Sequence, residues 1–190
     1  MPDEFADPVE IAQHVGARLD AVEVEWVIGG SLASSVHGEA RATQDIDVVV
    51  DLQPHLVHRL VKALDRDYYI DADAVRDAVE SPSSFNAVHY LSALKIDFFV
   101  AGNDLFEAER LAQRQRIDMP TGVLYVDTAE HTVLRKLEWY RRGGETSERQ
   151  WRDVQAILRL QGDRLDRERL HHWAAYLGVT DLLDRVMGTN

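Results

Sequence analysis

Val27-Ile28-Gly29-Gly30-Ser31, and after it Asp45-Ile46-Asp47-Val48-Val49-Val50, decide how this chain is read. Glu25 to Ile28 reads as a strand, and Ser31 to His37, small and apolar, as a short helix capped at its start by Ser31. The Gly-Gly turn between them sets a helix N-terminus beside a strand end. Glycine there lets backbone N–H groups approach an anion with no Cβ in the way, and the helix start favours negative charge. The run from Asp45 to Val50 is short and β-branched, a buried strand. Side chains alternate along a strand, so Asp45 and Asp47 share one face while Ile46, Val48 and Val50 enter the core on the other. Two adjacent carboxylates repel each other, and a divalent cation relieves that cost. Magnesium in particular takes a few carboxylates together with substrate phosphates.

Taken singly, each motif has a plainer reading. An isolated Asp-x-Asp describes two acids facing solvent on a half-exposed strand, and a bare Gly-Gly-Ser describes a flexible turn. The turn also lacks the Lys-Thr or Lys-Ser ending of a Walker loop, which disfavours P-loop chemistry. A third acid, Asp97 in Lys95-Ile96-Asp97-Phe98-Phe99, shares a strand face with Lys95, and a simple ion pair is the local expectation there.

Away from this centre, Ile11, Val15, Leu19 and Val22 recur at helical spacing, and Pro54 opens a helix to about Leu64. Phe85 to Leu91 and Lys95 to Val100 read as strands joined by a tight hairpin at Ser92 and Ala93. A helix near Asp104 to Gln115 and a strand near Val123 to Val126 follow. The rest is helical, near Thr128 to Arg142, Ser147 to Leu160 and Arg167 to Leu177, with no repeat or low-complexity stretch. On the first of these, Val133, Leu137 and Tyr140 form the buried stripe. Lys136 lies at its edge, where it reaches into a cleft, snorkels to solvent or pairs with a nearby acid. Arg149 and Asp153, four apart, are expected to form a modest surface ion pair. His37, closing a short helix, is expected to bond a carbonyl. His171-His172 lacks an acid pair at ligand spacing, so no zinc is assigned.

With 190 residues, 45% of them hydrophobic, the chain can bury one substantial core but hardly two independent ones. The expected division is a core over residues 1–127 with a C-terminal helical portion, residues 128–190, packed on it as a single compact unit. Acidic residues number 33 against 21 Lys and Arg, a net charge of −12, which repels nucleic-acid phosphates and anionic membranes at long range. An extended nucleic-acid surface is therefore not expected, and Trp139-Tyr140 with Arg141-Arg142 is the nearest local candidate for an acceptor contact. The absence of cysteine excludes disulfide, thiolate-zinc and cysteine-nucleophile chemistry. Met1-Pro2-Asp3-Glu4 lacks the charge and apolar block of a signal peptide, and no segment reaches membrane-spanning length, so the cytoplasm is the expected location.

Together, Gly29-Gly30-Ser31, Asp45-Ile46-Asp47 and Asp97 resemble the DNA polymerase β-like nucleotidyltransferase superfamily. The longer match, Gly30-Ser31 through His37-Gly38, Arg41-Ala42-Thr43 and Asp45-Ile46-Asp47, is similar to its minimal and AbiEii-like prokaryotic branches, over roughly Trp26 to Val100. The resemblance implies an α/β (α+β) fold, a small mixed β-sheet core flanked by helices with a C-terminal helical portion. It implies that Gly29, Gly30 and Ser31 bind an NTP, that Asp45 and Asp47 bridge magnesium ions, and that Asp97 completes a second metal site and activates the attacking hydroxyl. In such two-metal sites the ions lie about 3.5–4 Å apart. Arg41 can grip phosphate oxygens and Thr43 can fix a neighbouring carboxylate or phosphate, although a surface arginine and a strand-start threonine fit the same positions. In AbiEii-like enzymes a helical lysine placed as Lys136 contacts the nucleotide. The implied activity is magnesium-dependent transfer of a nucleoside monophosphate from an NTP to a hydroxyl acceptor, a small molecule, an RNA end or a protein, with release of pyrophosphate. The alternative is a non-catalytic nucleotide-binding or toxin–antitoxin partner protein of the same fold, meeting another protein through its acidic surface. A metal-dependent hydrolase ranks last, since the histidine-aspartate pattern common at phosphodiesterase sites is missing.

Overall fold

Short β-branched and aromatic runs form β1 (Glu25–Ile28), β2 (Asp45–Asp51), β3 (Tyr68–Ile70), β4 (Ser84–His89), β5 (Lys95–Val100), β6 (Gln115–Met119) and β7 (Gly122–Val126). They join in one mixed sheet of order β3-β4-β5-β2-β1-β7-β6. β2 runs parallel to β5 and β1 parallel to β7, while the remaining neighbours are antiparallel. The computed structural model describes residues 7–188, so the reading of Met1-Pro2-Asp3-Glu4 lies outside the described residues.

These residues form two units: a sheet unit of residues 7–32 and 42–126, and a helical unit of residues 33–41 and 127–188. The sheet unit holds α1 (Pro8–Ala21), α3 (Val57–Leu64), α4 (Ala72–Glu80) and α5 (Leu105–Ala112). The boundary between the units falls inside α2 (Gly30–His37). α6 (Ala129–Arg142), α7 (Glu148–Gln161), α8 (Arg167–Leu177) and α9 (Thr180–Met187) make up the rest of the helical unit. The starts of α1, α4, α5, α6, α7 and α8 are capped by Asp7, Asp71, Asp104, Thr128, Ser147 and Asp166, each side chain accepting an otherwise unpaired N–H of the first turn.

Strand alternation divides the sheet's two faces. Trp26, Ile28, Ile46, Val48, Val50, Ile96 and Phe98, all fully buried, lie on one face, which α1 covers over β1, β2 and β7, with its Gly16 against the Trp26 ring. On the other face Val27, Val49 and Ala101 form a smaller cluster with Leu111 of α5, and Phe99 packs against it. The acids Asp45 and Asp47 share this second face but precede the part that α5 covers. Asp45 is exposed and Asp47 half-buried.

Several elements depart from the expectations. α2 begins at Gly30, so Ser31 lies in its first turn and does not cap it. Pro54–Leu56 is a 3-10 turn that leads into α3. The β4–β5 connection is wider than a tight hairpin: His89 N–H donates to the Leu94 carbonyl, and Ala93 takes up a positive φ of 55°. α5 stops at Ala112, and Gln115 opens β6. β3, α4, β6 and α9 have no counterpart in the sequence reading. β3 is three residues long, and β6, Gln-Arg-Ile-Asp-Met, carries little apolar alternation, so its state comes from pairing with β7. Among the described residues no helix is long and apolar enough to cross a membrane.

Candidate functional site

The strand-turn-helix at β1 and α2 and the acid-bearing start of β2 meet within the sheet unit. Gly29 N–H donates to the Asp47 carbonyl at 3.0 Å, which extends the β1–β2 ladder into the turn. Gly30 has φ +56°, and a Cβ on it would sit 1.7 Å from Asp47 Oδ2. The glycine backbone therefore lies flush against the Asp47 carboxylate, an approach that no other residue allows. Ser31, in the first turn of α2, follows at the helix start, where backbone N–H groups and the helix dipole favour an anion. The start of α2 and the paired acids thus adjoin.

Asp97 comes to the same place through register. In the parallel β2–β5 pair Asp47 faces Asp97 and Asp45 faces Lys95, so the three acids occupy one face of two neighbouring strands. Lys95 Nζ meets Asp97 Oδ2 at 2.8 Å, the ion pair expected from their shared strand face. The hydrogen bond to Asp97 pushes the Lys95 pKa up. Asn86 of β4 stands opposite Asp97 on its other side. Among the described residues, no three His, Asp or Glu side chains gather closely enough to hold a metal ion by themselves. All the candidate donors are carboxylate oxygens, the ligands that magnesium takes alongside substrate phosphates, so the donor set fits that ion once a nucleotide completes it. Thr43 is engaged locally: its hydroxyl donates to the Asp45 carbonyl at 2.9 Å and accepts from Asp45 N–H at 3.4 Å, which fits the strand-start reading.

The helical unit gathers a second polar group around Asp153 of α7. Lys136 Nζ reaches Asp153 Oδ2 at 2.7 Å and Gln150 Oε1 at 3.0 Å, and Arg41 Nη2 reaches Asp153 Oδ2 at 3.1 Å. Lys136 is only 5% exposed, so it neither snorkels nor lies at an open edge. Burial pushes its pKa down, against the pull of Asp153. For Asp153, burial favours the neutral acid, but the hydrogen bonds and charges of Lys136 and Arg41 outweigh it and hold its pKa below the usual carboxylate range. The expected Arg149–Asp153 surface pair is replaced by these two contacts, because the buried side of α7 turns Asp153 away from solvent. The sequence reading takes Asp153 only as half of a surface pair, yet the signal for its inward place is present. Gln150, Asp153, Val154 and Ile157 follow the i, i+3, i+4, i+7 pattern of a helix's inward stripe.

His37 Nε2 lies 2.6 Å from the Asp127 carbonyl, the bond expected of it. Arg141 is paired with Asp181 and Glu145, and Arg142 with Glu138 while lying over the Trp139 ring.

A family model described as "Nucleotidyl transferase AbiEii toxin, Type IV TA system" matches residues 18–181. No curated protein matches the sequence. Among solved structures, an antigenic nucleotidyltransferase-like protein from Paracoccidioides brasiliensis is similar at 16% identity and TM-score 0.57, over 96% of this chain and 93% of that one. The antibiotic-resistance factor ANT(2'')-Ia is similar at 15% identity and TM-score 0.56, over 96% and 97%. The lincosamide antibiotic adenylyltransferase LnuA, in its lincomycin-bound form, is similar at 12% identity and TM-score 0.53, over 80% and 96%. At these identities the likeness is one of fold, and the fold is that of nucleotidyltransferases.

Proposed function

We propose, since this chain belongs to the nucleotidyl transferase AbiEii toxin family, that it moves a nucleoside monophosphate from an NTP to a hydroxyl acceptor with magnesium. The observation that carries the reading is the apposition of the Gly30 backbone and the Asp47 carboxylate, which makes the anion-binding turn and the acids parts of one arrangement. In this reading the backbone at Gly29, Gly30 and Ser31 cradles the triphosphate. Asp45, Asp47 and Asp97 hold the cation. Held there with the nucleotide, magnesium would supply charge to neutralise phosphate oxygens and acidify the acceptor hydroxyl. The acceptor oxygen forms a bond to the α-phosphorus as the bond to the β-phosphate bridging oxygen breaks, and pyrophosphate leaves. Asp97 takes the hydroxyl proton, or it serves only as a ligand and the proton passes to solvent. Lys95 is exposed enough to swing aside, and its pair with Asp97 is worth about 1 kcal/mol or less, which a nucleotide-bound cation exceeds. Thr43 supports Asp45; Arg41 and Lys136, which the resemblance assigns to the nucleotide, are engaged within the helical unit by Asp153.

A binding-only protein is the second reading, and the Lys95–Asp97 pair favours it because it occupies the acid meant for catalysis. The test is incubation with α-labelled NTPs, magnesium and fractionated cell extract. Label passing to a small molecule, an RNA or a protein supports transfer and names the acceptor class. Asp97→Asn is expected to abolish transfer with NTP affinity nearly unchanged. Unaltered turnover in that variant returns Asp97 to its ion pair with Lys95. Asp45→Asn/Asp47→Asn is expected to weaken magnesium-dependent NTP binding in calorimetry, and equal affinity would overturn the site itself.

A further inference from the structure

The last strand of the sheet, β6, pairs with β7 on one side. Met119 and Gly122 flank the turn at Pro120 and Thr121. The alternation of an antiparallel ladder then has Met119, Ile117 and Gln115 exchange hydrogen bonds with β7. It turns the N–H and C=O groups of Arg116 and Asp118 toward the open edge. Every residue of β6 is exposed except Ile117, which is half-buried. An open edge is a template for a further strand.

The order Gln115-Arg116-Ile117-Asp118-Met119 answers which strand. Charge is antisymmetric about Ile117, with a cation on one side and an anion on the other. A two-fold axis through Ile117 therefore sets Arg116 opposite the second copy's Asp118, and Asp118 opposite its Arg116. These are also the two positions whose backbone groups face outward, so each such pair exchanges both of its hydrogen bonds. Arg116 Nη2 already lies 2.7 Å from Asp118 Oδ1 within one chain, on a shared face, so the junction alternates charge in a four-membered network. On the opposite face Ile117 meets its own copy and continues the apolar row of Leu124 and Val126. A parallel partner of the same sequence offers no such match.

We propose that β6 is a homodimerisation edge, to which a second copy of this chain adds its own β6 antiparallel about Ile117. Two strands of five residues bury far less than the roughly 1,200–2,000 Å² of stable interfaces, so the dimer is weak and concentration-dependent. Each copy carries a net charge of −12, which opposes association and leaves the local complementarity at Arg116 and Asp118 to favour it.

Sedimentation velocity over rising concentration, at about 0.15 M salt, tests this. The wild type is expected to move from one chain toward two. Arg116→Asp and Asp118→Arg each set like charges opposite at both symmetric positions, and are expected to lower the association constant by about tenfold. An equimolar mixture of the two variants restores opposite charges and is expected to associate like the wild type. Circular dichroism checks that the variants fold. The chain has no cysteine, so Ile117→Cys reports register: its thiols meet at the two-fold and an added oxidant such as copper phenanthroline links them as a disulfide, while those of Met119→Cys stay unlinked. A wild type that stays monomeric throughout, its edge covered by a foreign strand or by nothing, overturns the proposal. So do charge variants that associate as the wild type does, or equal cross-linking at the two cysteine positions.

Discussion

At Gly30 one added carbon would meet two obstacles, a positive φ of 56° and an Asp47 oxygen 1.7 Å away. Gly30→Ala is therefore expected to lose about 1–3 kcal/mol of stability from backbone strain and to displace the Asp47 carboxylate. Denaturant unfolding reads the first effect and calorimetry with Mg-NTP the second. The chain that binds nucleotide normally after this change does not use the turn as proposed. Lys136 invites a different test. Its folded pKa lies below the ordinary value of 10.5, so between the two the unfolded chain binds more protons, and this site makes stability rise with pH across that window. Asp153 also has a lowered folded pKa; its contribution is present above the ordinary carboxylate value of 3.8 and is lost as pH falls through the folded one. Lys136→Met leaves Asp153 with Arg41 and is expected to cost about 1–3 kcal/mol at pH 7. Urea unfolding across pH should show the alkaline rise vanish and the acid loss shrink. If the pH dependence matches that of the wild type, Lys136 is not coupled to Asp153.

Among the elements, the seat of α1 on β1 is set by a glycine whose conformation is ordinary for a helix. A methyl on Gly16 would come 2.3 Å from Trp26 Cζ2. The indole has little room to retreat, being 1% exposed and held by its N–H bond to Asp20 Oδ1 at 2.7 Å. Alanine in place of glycine gains about 1 kcal/mol of helix propensity, and overpacking a core costs about 1–3 kcal/mol. Overlap with a pinned ring lies at the costly end. Gly16→Ala is therefore expected to lower stability by as much as about 2 kcal/mol, read as a lower Tm. A raised Tm would mean that α1 can shift on the sheet without penalty. The same packing explains which elements were legible: β1, β5 and α8 match their sequence bounds because strand alternation and caps are local. β6 does not, since only β7 makes it a strand.

For the whole molecule the net charge of −12 governs how it meets polyanions. Arg141 and Arg142, the basic pair that the sequence offers as a candidate for an RNA acceptor, are held by Asp181, Glu145 and Glu138, which removes much of their pull on phosphate. Titration of a labelled RNA at several salt concentrations is expected to give a log–log slope shallower than about four, since each neutralised phosphate adds about 0.7–0.9. A steeper slope with tight binding at physiological salt would reveal a basic footprint that the acidic balance conceals. The sequence by itself determined the nucleotidyltransferase fold class, the shared face of Asp45 and Asp47, the Lys95–Asp97 pair and the carbonyl bond of His37. The shared face and the Lys95–Asp97 pair follow from a strand's period of two, and the fold class from the resemblance of the motifs; of His37 the sequence indicates only that it bonds a carbonyl, and the one it takes, that of Asp127, lies 90 residues away. Tertiary structure alone decided that Gly30 lies against Asp47, that residues 33–41 group with the C-terminal helices, and that Asp153 takes Lys136 and Arg41 in place of Arg149. Those partners are far apart in the chain. A buried carboxylate binds the cations that share its burial, because a solvated neighbour on its own helix offers little once water has screened it.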